Sequence, residues 1–337
     1  MSGRRGVVSI IVVSWNSIGF LGECLESVRE QTYKEWELIV VDNGSEDGSA
    51  ELVRRGFPEV RLITCSQNLG FARAGNLGLE ESRGRWLLFL NPDVRLERDW
   101  LEKALPAFKI SPHIGMVTGK ILRFDHRIID STGQFLSPSR RAKERGYNEA
   151  DRGQYDRAGF VFSVCGAVAL YSKEMVEAVR LNGEFLDEDF FAFYEDLDVG
   201  WRANRLGWRG YYVPQAVAYH YRGGSQRGGG WLGRFSQLSR RPTEIKFHIV
   251  KNRYLTVIKN DRWGRTLLSL PYILGFDVLL YTYLLVADPG VLGKLLRAGP
   301  YVRAAFRKRR YLMERLKKMI YAQAEGEGGD DPNRVDP

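Results

Sequence analysis

The sequence predicts an α/β protein: a mostly parallel mixed sheet flanked by helices, followed by a basic helical region. Three observations carry this. Apolar runs at 7–13, 36–41, 61–64 and 85–90 alternate with segments whose apolar residues recur at helical spacing, as in βαβ units. Two of the runs end on acids: Val41 leads into Asp42, and Leu90 into Asn91-Pro92-Asp93. Ligands of open α/β sheets bind just beyond the carboxyl ends of the strands, so both acids are expected to face a crevice. Charge is also divided. Residues 234–318 hold 19 Lys/Arg and 5 Asp/Glu, or +14, which leaves −5 for the rest of a chain of net charge +9.

Val7–Val13 is β-branched and reads as a buried parallel strand. Phe20/Leu21, Cys24/Leu25 and Val28 form a helical face. Trp36–Val41 is the second strand, Asp47-Gly48-Ser49 opens a short helix, and Arg61–Thr64 is the third strand. Ala72–Ser82 reads as helix, Arg85–Leu90 as strand, and Trp100 to Phe108 as another helical face. From 120 to 160 the pattern loosens and turns polar. Val161–Leu170 is strand-like and a helix is expected near Lys173–Val179. Asp196–Leu206 reads as a helix stopped by Gly207, with short strands at Gly210–Val213 and Ala216–His220.

The division expected is 1–233 for the catalytic part, 234–323 for a basic, amphipathic, membrane-associated region and 324–337 for a disordered tail. Thr266–Ala287 is apolar and long enough to span a bilayer. Pro271, Gly275 and Asp277 interrupt it, and Lys/Arg flank both ends, so an in-plane helix is favoured over a span. Cys24, Cys65 and Cys165 have no ligand or redox spacing and read as buried thiols of a reducing compartment. The N-terminus lacks a small-residue cleavage site. The catalytic part is therefore expected at the cytoplasmic face of the membrane.

Asp93 follows an apolar strand ended by Pro92, and its hard oxygen suits Mg²⁺ or Mn²⁺ shared with substrate phosphates. Asp42 could accept from a ribose hydroxyl or a base N–H, or close an Asx-turn. Asn68-Leu69-Gly70-Phe71-Ala72-Arg73 joins amide, glycine and cation at a helix start, where a diphosphate could bind. In 185–202 six acids interleave with aromatics, surroundings that raise a carboxylate's pKa toward that of a usable base. Glu195, Asp196 and Asp198 open a helix there, where acids are favoured on electrostatic grounds alone. His220 ends a strand and is of interest as a second metal ligand beside Asp93.

In order, Val8–Asn16, Val41–Ser45, Asn68–Ala72, Leu90–Asp93, Cys165-Gly166-Ala167 and Phe185–Asp198 resemble the family-2 inverting glycosyltransferases of the GT-A fold, in particular the bacterial rhamnosyltransferase-like branch. The resemblance covers about residues 7–225. It implies that Asp42, with Trp15, Asn16 and Asn68, contacts the nucleoside. It implies that Asn91 and Asp93 stand for the Asp-x-Asp motif, that Asp93 and His220 hold the metal, and that Asp196 is the base, with Glu195 and Asp198 next in line. Asn91 replaces the first acid of that motif, which weakens the metal site. Arg73 would neutralise the diphosphate and Arg222–Trp231 would close as a lid. The branch suggests dTDP-L-rhamnose as donor and a polyprenyl-diphosphate saccharide as acceptor at an anionic membrane surface. UDP- or GDP-sugars are the alternative donors. A nucleotidyltransferase would want a Gly-rich basic loop after the first strand, where Ser14-Trp15-Asn16-Ser17 stands. A nucleic-acid-binding protein would use the basic region and leave the acidic front unexplained, so no nucleic acid is expected as partner.

Overall fold

The computed structural model describes residues 6–222 and 238–327. Its main sheet begins with four parallel strands, β1 (Val8–Ser14), β2 (Trp36–Asp42), β3 (Arg61–Thr64) and β4 (Trp86–Leu90), in the order β4-β1-β2-β3. All seven residues of β1 are buried, which is why it reads as a continuous apolar run. Helices α1 (Ile18–Arg29), α2 (Ser49–Gly56) and α3 (Phe71–Glu80) make the crossovers. In α1, Leu21, Cys24, Leu25 and Val28 are buried, the stripe that its spacing predicts.

Beyond β4 the sheet is mixed. The short β5 (Val94–Leu96) is followed by α4 (Trp100–Ala104) and β6 (Ile114–Arg123), then by β10 (Gly159–Val161), β11 (Val168–Ser172) and β12 (Arg209–His220). β11 is antiparallel to both β4 and β6, and β12 runs parallel to β6. β7 (Ile129–Ser131) pairs with β6, while β8 (Gln134–Leu136) and β9 (Ala142–Glu144) form a separate hairpin. Helices α5 (Lys173–Val179) and α6 (Glu195–Arg205) cover one face. Ile10, Leu88 and Leu170 sit fully buried at the centre; truncating any one to Ala would cost about 2–5 kcal/mol.

Three expectations change. The polar stretch 120–160 carries β7, β8 and β9 and the end of β6. Val161–Leu170 is not one strand, because 162–167 turns away from the sheet between β10 and β11. The two short strands near 210–220 are one strand, β12, with a register shift between Val213 and Val217 that accommodates Pro214, which lacks a ladder donor.

The C-terminal region is helical: α7 (Thr243–Asn260), α8 (Trp263–Ala287), α9 (Pro289–Leu296) and α10 (Gly299–Glu327). α10 runs four residues into the segment expected to be disordered; 328–337 lie outside the described residues, as do 223–231 of the expected lid. The basic face is not simply solvated. Lys246, Lys251, Arg253, Lys259 and Lys308 are buried. Asp187 pairs with both Lys259 and Lys308, and Lys259 also reaches Asp198 at 2.9 Å. The helices therefore dock on the acidic loop before α6. Among the described residues α8 is the one helix long and apolar enough to cross a membrane, with 11% of that stretch buried in the protein. Leu280 and Leu284 pack on Phe247, Val250 and Val291, while Leu268 and Val286 are more than 80% exposed.

Candidate active site

The sheet order brings the sequence-distant candidates to one edge. Ser14 is in register with Asp42, and Asn43 N donates to Ser14 O at 2.7 Å. Asp42 Oδ2 accepts from Ser45 N at 3.3 Å, which is the Asx-turn. Its buried Oδ1 accepts from no group of the chain among the described residues. A buried oxygen left unmet in this way is costly unless a ligand donates to it. Gly44 follows with φ +76°, and a Cβ there would lie 2.6 Å from the Gln67 carbonyl carbon, so the turn and the 67–70 loop touch because Gly44 has no side chain. Asn43 ties the two together, giving to Asn68 Oδ1 at 3.0 Å and accepting from Leu69 N at 2.9 Å.

Asn16 takes a left-handed φ of 49° and accepts from Glu46 N at 2.9 Å. Trp15 beside it is 53% exposed. Arg73 lies on the exposed side of α3, 3.9 Å from Glu188, so it stands beside the acidic loop as well as the 67–70 loop.

Asp93 and His220 meet across the β5–β12 ladder: Val94 pairs with His220, and His220 Nε2 is 3.3 Å from Asp93 Oδ1. On its far side His220 Nδ1 donates to Asp130 Oδ2 at 2.8 Å, and Asp130 also pairs with Arg222 at 2.5 Å. Burial alone would lower the His220 pKa, but hydrogen bonds to Asp130 and Asp93 raise it to about 9. Once His220 gives up its Nε2 proton, Asp93 and that nitrogen, with Asp130 orienting the ring from behind, would make a donor pair for a divalent cation that shares its remaining positions with phosphate oxygens. Among the described residues no group of three or more metal-ligating side chains occurs. Among the described residues two side chains, Asp93 and His220, are placed where they could hold a cation, in keeping with the missing acid at Asn91. Asn91 is placed by its backbone, whose N–H donates to Ala167 O at 3.0 Å.

Asp196 lies at the N-terminus of α6. Its Oδ2 accepts from Gly166 N at 2.9 Å and Gln134 Nε2 at 2.6 Å, and its Oδ1 from Leu197 N at 2.7 Å. A Cβ on Gly166 would sit 3.2 Å from that Oδ2, so glycine there leaves room for the approach. Burial raises the Asp196 pKa and those hydrogen bonds pull it back. Glu195 is pushed up to about 8 by burial and by Asp196, and its buried Oε2 accepts from no group among the described residues. Gln134 Nε2 also donates to Glu144 at 2.8 Å, whose pKa burial and Asp196 raise to about 7.

Asp198 is different. It is fully buried, 2.9 Å from Arg202 and from Lys259, and accepts from Asn260 at 2.7 Å. The structure gives it ion pairs that hold helices together, at a position closed to substrate. Asp130, Gln134 and Glu144 escaped the sequence reading. Their partners lie 90 and 62 residues away for the first two, and Glu144 acts through Gln134. Only the crowding of polar residues at 130–134 hinted at them.

The family model for glycosyl transferase family 2 matches residues 9–180, just over half of the chain. The chain belongs to that family. This family-2 chain is 34% identical over 110 residues to the glycosyltransferase AglE of Haloferax volcanii, covering 31% of this chain and 36% of that one. It therefore spans well under two-thirds of that relative's length. It is 26% identical over 245 residues to an N-acetylglucosaminyl-diphospho-decaprenol L-rhamnosyltransferase of Mycobacterium tuberculosis, covering 64% of this chain and 76% of that one. A mannosyltransferase from Pyrobaculum calidifontis, solved with GDP-Man and Mn²⁺, superimposes with a TM-score of 0.54 at 18% identity over 95% of this chain and 88% of that one. The fold is GT-A.

Proposed function

We propose that this protein is an inverting glycosyltransferase that moves a sugar, L-rhamnose from dTDP-L-rhamnose, to a hydroxyl of a polyprenyl-diphosphate-linked saccharide at the cytoplasmic face of the membrane. The observation that carries the reaction class is Asp196, a carboxylate of raised pKa held by three N–H groups at the crevice. In the mechanism proposed, Asp196 takes the proton of the acceptor hydroxyl as its oxygen attacks the anomeric carbon. The bond to the nucleoside diphosphate breaks on the opposite face, and the diphosphate leaves with the bonding electrons. Asp42, through its open Oδ1, with Trp15, Asn16 and Asn68, holds the nucleoside. Arg73 meets charge on the diphosphate. Asp93 and His220, the latter oriented by Asp130, would hold Mg²⁺ or Mn²⁺, which offsets charge on the leaving group when bound. Glu195 shapes the electrostatics of Asp196 and is the second candidate for the base.

The donor and acceptor rest on the rhamnosyltransferase-like motifs and on the relative from M. tuberculosis. Other nucleotide sugars remain members of the test panel. Purified protein incubated with dTDP-, UDP- and GDP-sugars, with and without EDTA, should hydrolyse dTDP-L-rhamnose, and should do so faster with metal. Asp196→Asn should abolish transfer and leave nucleotide binding nearly intact by calorimetry. No turnover of any donor, even with lipid acceptors, would sink the proposal; full transfer by Asp196→Asn would move the base to Glu195.

A further inference from the structure

We propose that the cavity between the β8–β9 hairpin and α8 seats an isoprenoid diphosphate lipid, the carrier of the acceptor sugar. This rests on the transferase reading above and adds where its lipid binds. The cavity encloses about 560 Å³ and is lined by Phe135, Leu136, Arg141 and Lys143 of the hairpin and by Tyr272, Phe276 and Leu279 of α8, among others. That volume is of the size that takes a small molecule or the head of a larger one.

Three features fix the occupant. First, the hairpin starts at Gln134, whose amide donates to Asp196 at 2.6 Å, and the next residue, Phe135, lines the cavity. The cavity wall thus begins one residue along β8 from the side chain that holds the proposed base. Second, among the described residues its polar wall carries Arg141 and Lys143 and no carboxylate, the charge that a diphosphate requires. Third, Tyr272, Phe276 and Leu279 lie at helical spacing on one face, and the stripe continues to Leu268, which is 81% exposed. A hydrocarbon chain can follow that stripe out along a helix of membrane-grade composition. The cavity thus joins cations for a diphosphate to an apolar stripe for a hydrocarbon, on the hairpin that also reaches the proposed base.

The walls are held in place before any ligand arrives. Arg141 stacks over Phe276 at 3.9 Å. Arg253 donates to Ser139 O at 2.9 Å and pairs with Asp277 of α8 at 2.6 Å. Such preorganisation reduces the ordering cost of binding.

The test uses the full chain and a geranylgeranyl diphosphate that carries a benzophenone on its hydrocarbon end. After irradiation, adducts should map by mass spectrometry to 135–143 and 268–279. Unlabelled geranylgeranyl diphosphate should suppress them; geranylgeraniol and phosphatidylglycerol vesicles should not. Lys143→Glu and Leu279→Asp should each cut labelling about tenfold, equivalent to about 1.4 kcal/mol, while Val286→Asp, also exposed on α8, leaves it unchanged. Unchanged nucleotide binding by each variant verifies its fold. Adducts elsewhere, equal displacement by phosphatidylglycerol, or full labelling of both cavity variants would overturn the proposal. Donor hydrolysis on the same samples separates the two readings. Hydrolysis with labelling elsewhere removes the lipid seat alone, and labelling at the cavity with no hydrolysis of any donor upholds the seat and sinks the transferase.

Discussion

Two aspartates two residues apart, Asp196 and Asp198, divide into opposite roles. Asp198 has ion pairs with Arg202 and Lys259 in the dry interior. Asp198→Asn leaves those cations undercompensated, and removing one partner of a buried pair costs about 3–5 kcal/mol, so its melting temperature should drop by many degrees. Asp196→Asn keeps most of its hydrogen-bond geometry and should melt near the wild type. Glu195 gives a pH signature. Its folded pKa of about 8 lies above the ordinary carboxylate value, so between about 4.5 and about 8 the native state binds more protons than the unfolded one. Native stability therefore falls as pH rises through that window. Glu195→Gln lacks the titration, and its stability relative to wild type, measured by thermal unfolding, should grow from pH 5 to pH 8. A constant difference would place the Glu195 carboxyl in water. The acids at the start of α6 were legible in sequence because acids among aromatics at a helix start form a local pattern; the choice of Asp196 among them came from the family resemblance. Gln134 and Glu144 were not, since their meaning depends on a fold that carries a hairpin across to α6.

The loop entering α6 is strained. Phe191, Phe193 and Tyr194 all have left-handed φ, 66°, 72° and 75°, and bulky residues held there cost of order 1–3 kcal/mol each. The fold holds the loop from outside: Asn252 of α7 donates to the carbonyls of Phe190, Ala192 and Phe193 at 2.8–2.9 Å. Asn252→Ala should free the loop and misplace Asp196, lowering kcat at least about tenfold, because small misplacements of a reacting group are expensive. Donor KM, set at the Asp42 side, should hold. A loss confined to KM would show that the clamp serves binding instead. β1, β2 and β4 were readable because each carries a buried apolar run bounded by turn residues, and the half-buried β3 by its place in the alternation of strand and helix. β7, β8 and β9 were not, because three-residue strands at an edge have too few side chains to show a period, and β12 was split in reading by Pro214, which the bulge absorbs.

On the scale of the whole molecule, the division of charge seen in the sequence is largely answered internally. The basic C-terminal helices spend Lys259 and Lys308 on Asp187, which those cations hold well below the usual carboxylate range against the upward push of burial. A lowered folded pKa contributes stability that is complete above the unfolded value of about 3.9 and is lost as pH falls through and below it. Acid should therefore release the helices from the loop before the sheet melts, seen as early proteolysis within 238–327 near pH 3. A chain ending at 242 should be insoluble or partly unfolded, since Asp187 would lose both of its cations, Asp198 would keep only Arg202, and Phe190 would lose its cover of Leu255 and Ala305; a soluble, cooperatively melting fragment would show the first 233 residues to be self-sufficient.

The Asp187–Lys308 contact joins residues 121 apart in the chain, and that separation constrains recombination among relatives. A crossover placed between them brings an acid from one parent against a position inherited from the other. Shuffled libraries made with such relatives should retain folded members chiefly where both positions share a parent. The stretch from 184 to 308 would then pass between genes as a single heritable block, whatever domain boundary is drawn inside it.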